Sequence, residues 1–499
     1  MFRNTLAQAL RLLTAQGFSF LLAPIMVDRL GLTLFGVWTI VGAIVAYASI
    51  LDAGITRALA RFIALYETAG EERRIRETVG LGLLCFTVLG LLLIPLAWFT
   101  APLATDLIGH ISTHDMRQIL LASAVIFLLQ GYTSVIQALP HGLRRMVPPN
   151  VAAVVSNTVN FAASVGSLLI TSSLVTYAWA NAAAVAVGLV LMYGGVRFVW
   201  NKRMVAWPGR AVRREILGYS VASQLGWIAD LVNLQTDKII VGLIVGPRAA
   251  GIYQIGASVA IAIREIGVIT VSAMIPTATA EIATNGKAAV RRLFTHYLPR
   301  TLGIAFPMFA LGALTAPFLI RAWIGDGTGQ AVGVLIALCA AYAVNIVTGV
   351  PSTVALADGR PGFVSRNSLW MAVLNVVLTL ALAPAFGLGG VVAGTVVAVS
   401  ALSAVLVIKF ARSYEIGAGD VWRSILPSAA ATVAVGLPFV PGVFATASLA
   451  TSRLSATALL AAFGLGYLVV YWPIASRAGV LPERIALRRR RPQPVAGTE

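Results

Sequence analysis

The sequence predicts an all-α integral membrane protein of about fourteen transmembrane helices: two six-helix lobes related by a parallel repeat, plus two additional helices. Three observations predict it. The chain of 499 residues is 58% hydrophobic and 11% charged, with a mean hydropathy of +0.87, where a soluble globular protein carries roughly 25% charged residues. Its apolar runs are about 20 residues long, the length a helix needs to cross a bilayer; barrel strands would be shorter and would alternate in polarity. The third observation is an internal repeat. Residues 28–38 align without gaps on residues 243–253, pairing Gly31 with Gly246, Gly36 with Gly251 and Trp38 with Tyr253. Ala138-Leu139-Pro140-His141-Gly142 matches Ala355-Leu356-Ala357-Asp358-Gly359 at nearly the same offset, and Asn150 then falls on Asn367. A repeat of this kind in an all-hydrophobic chain predicts a two-lobed transporter with its site between the lobes.

The elements follow in order. The first span, near 6–27, starts directly after Met1-Phe2-Arg3 and holds Arg11 and Gln16; it is too long and too polar for a cleavable signal peptide and is expected to stay as a helix. Spans near 35–56, 79–101 and 117–139 follow. Pro148-Pro149 opens the fifth, 150–171, which a very short connection joins to the sixth, 174–196. The seventh, 216–246, stops at Gly246-Pro247, and 249–275, 297–320 and 331–356 come next. Pro384 to Gly390 separates 364–384 from 388–408, and 424–445 and 454–475 complete the set. The expected organisation is an N-terminal lobe over 1–200, a cytoplasmic inter-lobe linker over 201–215, a C-terminal lobe over 216–410, two additional helices over 411–479 and a basic cytoplasmic tail over 480–499. Each lobe begins on the cytoplasmic side, so the repeats are parallel.

Charge checks that count. With the N-terminus inside, 29 of the 37 Lys and Arg fall on cytoplasmic segments and only Arg29, Arg117, Arg248, Arg321 and Arg453 on the other side, as the positive-inside rule requires. The protein is therefore expected to be multi-pass with both termini cytoplasmic; the expected membrane is the inner or plasma membrane of a bacterial cell. The net charge of +18 is spread over those loops, which argues against nucleic acid. Arg488 to Arg491 are expected to meet anionic lipid headgroups. Cys85 and Cys339 read as small buried hydrophobes. His110, His114, His141 and His296 have no metal-ligand spacing, and no phosphate-binding loop of the nucleotide-hydrolase type is present, so neither a metal nor a cofactor is expected. External loops too short to house catalytic groups predict that the chain is not an enzyme.

Ionisable groups within spans cost roughly 2.5–3.5 kcal/mol each on insertion scales and point to function by default. The seventh span is the richest, with Ser220, Asp230, Asn233, Thr236, Asp237 and Lys238. Asp230 and Asp237 are seven residues apart and share a face. Arg11 and the pair Arg264-Glu265 are the other intramembrane candidates, and Asp52 lies deep in the second span. Arg11, Lys238 and Arg264 would suit an anionic headgroup, because phosphate is recognised through charge-assisted hydrogen bonds. Asp52, Asp230, Asp237 and Glu265 are candidates for coupling to an ion.

Arg29-Leu30-Gly31, Phe35-Gly36-Val37-Trp38 and Leu51-Asp52-Ala53-Gly54 together resemble the opening of the polysaccharide exporters of the multidrug/oligosaccharidyl-lipid/polysaccharide flippase superfamily. Thr236-Asp237-Lys238-Ile239-Ile240-Val241-Gly242, followed by Ala250-Gly251-Ile252-Tyr253, resembles that family's signature in helices 7 and 8. Ala357-Asp358-Gly359-Arg360, then Asn375 and Phe386-Gly387-Leu388-Gly389-Gly390, resembles its helix 10 to 12 region. The resemblance implies two lobes around a central cavity and alternating access. It also implies movement of polyprenyl-pyrophosphate-linked oligosaccharide to the outer leaflet, with H+ or Na+ as the coupling ion and glycosyltransferases and a glycan polymerase as possible partners. The two additional helices are similar to those of the lipid II flippase branch, which stays open as an alternative beside a multidrug cation exporter.

Overall fold

The computed structural model describes residues 2–50, 54–222, 225–272 and 274–479, and every regular element among them is helical. The first half runs α1 (Phe2–Ala48), α2 (Ile55–Thr68), α3 (Glu72–Ile108), α4 (Thr113–Gly142), α5 (Val147–Thr171) and α6 (Leu174–Arg197). The second runs α7 (Arg210–Ala222), α8 (Leu225–Ile244), α9 (Pro247–Ser272), α10 (Ile275–Leu314), α11 (Ala316–Trp323), α12 (Gly329–Ile346), α13 (Gly349–Ala357) and α14 (Pro361–Ser413). Beyond them lie α15 (Ala418–Gly436), α16 (Val440–Thr446) and α17 (Arg453–Arg477). The expected tail over 480–499 lies outside the described residues.

Eleven stretches among the described residues are long and apolar enough to cross a membrane. Two of them, Leu10–Ala48 and Pro361–Ser413, each hold two of the spans read from the sequence. Their backbones leave the helical region at Gly31 (φ 78°, ψ 165°) and at Gly387 (φ 56°, ψ −136°). α8 lies where the sequence predicts the seventh span but is not among the eleven, because Asp230, Asp237 and Lys238 interrupt its apolar run.

The repeat is written most clearly in the backbone. Left-handed residues recur in pairs: Gly31 with Gly246, Gly70 with Gly286, His110 with Gly325, Arg144 with Gly359, and Ser172 with Gly387. Four of the pairs are 215 residues apart and one is 216. Each marks a turn between helices, so the two halves are punctuated alike. Where the first half places His, Arg or Ser in that conformation the second places Gly, which adopts it without the penalty of a Cβ. Helix caps fix the register of the second motif. Arg145 N–H closes on Pro140 O at 3.0 Å, and Arg360 N–H closes on Ala355 O at 2.9 Å, the same six-residue closure. That pairing sits at 215, two residues from the offset of the Ala-Leu match in the sequence. Ala and Leu recur too often in membrane helices to fix a register, whereas a cap does.

Two compact units are present, Met1–Val259 with Ile320–Leu338 and Gly362–Leu402, and Ala260–Leu319 with Cys339–Pro361 and Ser403–Glu499. In the first, the repeat-mated glycines touch. A Cβ on Gly36 would stand 1.7 Å from Pro247 O, and one on Gly251 would stand 2.7 Å from Leu32 O. Leu32 and Pro247 are themselves repeat mates, so the contact is reciprocal, as a local two-fold axis demands. The core of this unit joins α2, α3, α4 and α7 through Leu59, Ile63, Leu81, Val135 and Ile216. The 198–209 segment is strapped to α3: Ala206 N–H donates to Arg76 O at 3.1 Å, and Gly209 N–H donates to the buried Glu77 Oε2 at 3.1 Å. Tyr66 OH donates to Glu215 Oε2 at 2.8 Å. Burial first, and then that carboxylate, push the Tyr66 phenol up to about 12, so it remains the donor at neutral pH.

In the second unit α15 and α17 pack on α10. Val435, Tyr467 and Tyr471 pack against Ala310, Leu311 and Leu314, and Arg291 Nη2 bonds Asp420 Oδ2 at 2.6 Å. Proline explains one polar contact in each unit. A proline within a helix leaves the carbonyl four residues earlier without its N–H. Pro307 frees Gly303 O in this way, and Tyr471 OH takes it at 2.8 Å. Pro24 frees Phe20 O, and Trp323 Nε1–H takes it at 2.9 Å while the two rings stack at 4.0 Å.

Gly36→Ala is expected to lower the thermal midpoint of the purified protein by the equivalent of about 2 kcal/mol or more, with Gly42→Ala, which meets nothing within 4 Å, as the silent control. Tyr471→Phe keeps the ring and removes the donor, and should cost about 1–3 kcal/mol, the penalty for a buried carbonyl left unsatisfied, measured the same way. Trp323→Phe keeps an aromatic ring and removes the donor, and should cost less, because Phe20 is exposed in the structure.

Candidate functional site

α8 carries one polar turn that reaches three other helices of its unit. The helix approaches α1 closely at Gly242, where a Cβ would stand 2.3 Å from Ile40 Cδ1. Thr236 Oγ1 hydrogen bonds Tyr47 OH on α1. Asp237 is 1% exposed and meets three donors. Its Oδ1 accepts from Asn375 Nδ2 at 3.1 Å, and its Oδ2 accepts from Tyr253 OH at 2.7 Å and Thr395 Oγ1 at 2.8 Å. Asn375 is held in turn by Thr379 Oγ1, 3.4 Å from its Oδ1. Both carboxylate oxygens are therefore engaged by neutral donors from α9 and from the two halves of α14.

Lys238, 9% exposed, sends its Nζ to the neutral Gln235 Oε1 at 2.9 Å. The acidic stripe expected on this helix divides: Asp237 is buried, and Asp230 is exposed. Between them Asn233 has both side-chain polar atoms buried with no hydrogen-bond partner among the described residues.

Arg11 lies on α1 in the same unit, held by its backbone. Asn157 Nδ2 on α5 donates to Arg11 O at 3.3 Å and to Thr14 Oγ1 at 3.2 Å. The Arg11 Nε is buried and meets no acceptor among the described residues. Arg264 and Glu265 belong to the other unit and answer one another, Nη1 to Oε1 at 3.0 Å, with the guanidinium 5.8 Å from the Tyr342 ring centre. Asp52 lies outside the described residues.

Of the predicted residues, then, Asp237 and Lys238 stand together on α8, and Arg264 and Glu265 pair with each other. Sequence reasoning missed the roles of Tyr253, Asn375 and Thr395. Tyr253 was visible as the repeat mate of Trp38, and Asn375 as part of a motif, but neither carried a sign that it would bond Asp237. Thr395 gave no signal at all.

Residues 1–280 match a family described as "Polysaccharide biosynthesis protein". No curated protein sequence matches the chain. Among solved structures the chain is similar to the lipid II flippase MurJ in an inward closed conformation. The TM-score is 0.68 at 12% identity, over 96% of this chain and 98% of that one. It is also similar to a multidrug resistance MATE family transporter of the MOP superfamily in its inward-facing conformation, with a TM-score of 0.59 and 17% identity over 82% and 94%. The outward-facing form gives 0.51 and 17% over 83% and 94%. At these identities the likeness is one of fold.

Thr395→Val and Tyr253→Phe each remove one donor from Asp237, and each should destabilise the protein by about 1.5–3 kcal/mol, as for a hydrogen bond to a charged group. Thermal unfolding in detergent measures it. The double variant should fall short of the sum if the three donors act as one network.

Proposed function

The chain belongs to the polysaccharide biosynthesis protein family, and from that premise we propose that it flips polyprenyl-pyrophosphate-linked oligosaccharide or polysaccharide units from the cytoplasmic to the outer leaflet by alternating access. The observation that carries this reading is a pair of membrane-embedded cations whose hydrogen bonds go to no carboxylate among the described residues. Lys238 is bonded to neutral Gln235, the adjacent Asp237 being engaged by three neutral donors, and the Arg11 Nε meets no acceptor among the described residues. Cations in a span are costly even beside a carboxylate. A pyrophosphate supplies further counter-charge, and Arg and Lys are the side chains suited to it. The lipid tail meanwhile stays in the bilayer.

Asp237 is the strongest candidate for coupling. Glu265 is engaged with Arg264 and Asp230 is exposed, whereas Asp237 sits beside Lys238 within a ring of oxygen and amide groups. A proton or sodium ion taken up there would cancel the negative charge next to Lys238 and tighten its hold on an anion. Release of the ion would loosen it, and linkage makes the effect reciprocal. The reading places the protein between glycosyltransferases that build the lipid-linked glycan and a polymerase that consumes it, in an inner or plasma membrane with cytoplasmic termini, with Arg488 to Arg491 on anionic lipid.

The test is reconstitution in liposomes with a labelled polyprenyl-pyrophosphate oligosaccharide. Leaflet exchange should depend on the protein, respond to a proton or sodium gradient, and fall about tenfold or more in Lys238→Ala, the loss of one charge-assisted contact. Gradient-driven movement of an organic cation with no glycolipid exchange would overturn the reading in favour of a drug exporter.

A further inference from the structure

A set of buried polar atoms near one end of the first half is used by neither the fold nor the Asp237 network. Asn150, 1% exposed, has no partner among the described residues for either its Nδ2 or its Oδ1. The same holds for Gln137 Nε2, His141 Nε2 and Arg11 Nε, all of them buried atoms. These residues come from three helices that converge. Gln137 and His141 are four apart on α4 and share a face. Asn150 stands seven residues, two turns, before Asn157 on α5, on the face through which Asn157 holds the Arg11 backbone. Arg11 and His141 lie near enough for their charges to interact. All belong to the N-terminal part of α1, the C-terminal turns of α4 and the first turns of α5.

An orphaned buried amide costs about 1–3 kcal/mol, and native structures hold few of them. Four such residues in one locality signal a ligand. Arg11 Nε–H, Gln137 Nε2–H, Asn150 Nδ2–H and His141 in its Nε2–H tautomer present donors of which only one is charged. That favours phosphate oxygens over a metal cation. Asn150 Oδ1 adds one acceptor, suited to a sugar hydroxyl next to a phosphate. We propose that Gln137, His141 and Asn150, with Arg11, form a headgroup site that takes the pyrophosphate and first sugar of a polyprenyl-linked glycan as it enters from the cytoplasmic leaflet. The proposal rests on the flippase reading and adds to it residues of α4 and α5. The second half offers no counterpart: at an offset of 215 the positions of Arg11, His141 and Asn150 are held by Gly226, Leu356 and Ser365.

Equilibrium binding to the purified full chain tests it, with labelled polyprenyl pyrophosphate and inorganic pyrophosphate as separate probes. His141→Ala and Asn150→Ala should each weaken polyprenyl-pyrophosphate binding about tenfold or more, as for hydrogen bonds to a charged ligand. Asn150→Leu provides the control for folding. It removes an orphaned amide in favour of an isosteric apolar group, so the thermal midpoint should hold or rise while binding falls; a lowered midpoint with unchanged binding overturns the site. Wild-type binding in His141→Ala and Asn150→Ala, with loss in Arg11→Ala, overturns this site and leaves the flippase reading intact. Binding of inorganic pyrophosphate alone, lost in the same variants, keeps the anion site and overturns the lipid-linked substrate. Binding of neither probe by the unaltered protein overturns the site.

Discussion

Inside a bilayer no water stands ready to satisfy a backbone group, so every N–H and C=O must find its partner within the chain. Much else in this molecule follows from that constraint. It makes each span a helix and collects the irregular backbone into short turns closed by their own hydrogen bonds, as at Arg145 and Arg360. It also accounts for two long-range contacts that would otherwise look incidental. Pro24 and Pro307 each strip a carbonyl of its helical donor, and an aromatic side chain distant in sequence supplies the replacement, Trp323 for Phe20 and Tyr471 for Gly303. A bend in a membrane helix thus brings an obligation to a neighbouring helix. That obligation ties α11 to α1, and α17 to α10.

The same constraint explains why the repeat survives better in punctuation than in content. A turn between spans has few solutions, and the left-handed residue that closes one must occupy a fixed place. Side chains facing lipid need only be apolar. Gly36 and Gly251 are the exception among side-chain positions, because each lies where its partner's backbone approaches too closely for a Cβ. A substitution there would disturb both halves at their shared axis.

Hydropathy made the helical class and most of the spans legible in the sequence, since a bilayer requires long apolar helices. Gly31 and Gly387 were visible as break points within what became continuous helices. The amphipathic α2 was not foreseen: it begins after Gly54 and runs to Thr68, where hydropathy alone carried the second span on to residue 56. Asp237 and Lys238 stood out because charge in a span is rare. Their partners did not, because a Thr, a Tyr and an Asn in membrane helices are common and their convergence depends on how α8, α9 and α14 pack. The orphaned amides near Arg11 were hidden for the same reason. Sequence showed Asn150 only as a repeat marker and His141 only as a residue near a span end.

The two halves share turns at an offset of 215, and at that offset their polar side chains differ. Asp237 and Lys238 correspond, 215 residues earlier, to Leu22 and Ala23, and Thr395 to Ala180. Tyr253 corresponds to Trp38, which packs edge-on against Tyr177. Asn375 alone keeps its type, as Asn160, and there it bonds a neutral amide, Asn181. The first half thus holds an uncharged version of the place where the second holds its carboxylate, and the second lacks the donors gathered near Arg11. A symmetric transporter with identical sites in both halves would have no reason to bind an anion in one and a cation in the other. Here the buried donor set lies in one copy and the ionisable centre in the other. In the proposed mechanism, uptake of an ion at one place would alter the hold on an anion elsewhere, which requires two distinct sites and a difference in charge between two states. Asp237 would supply that difference in charge, and the two halves would each carry one of the sites.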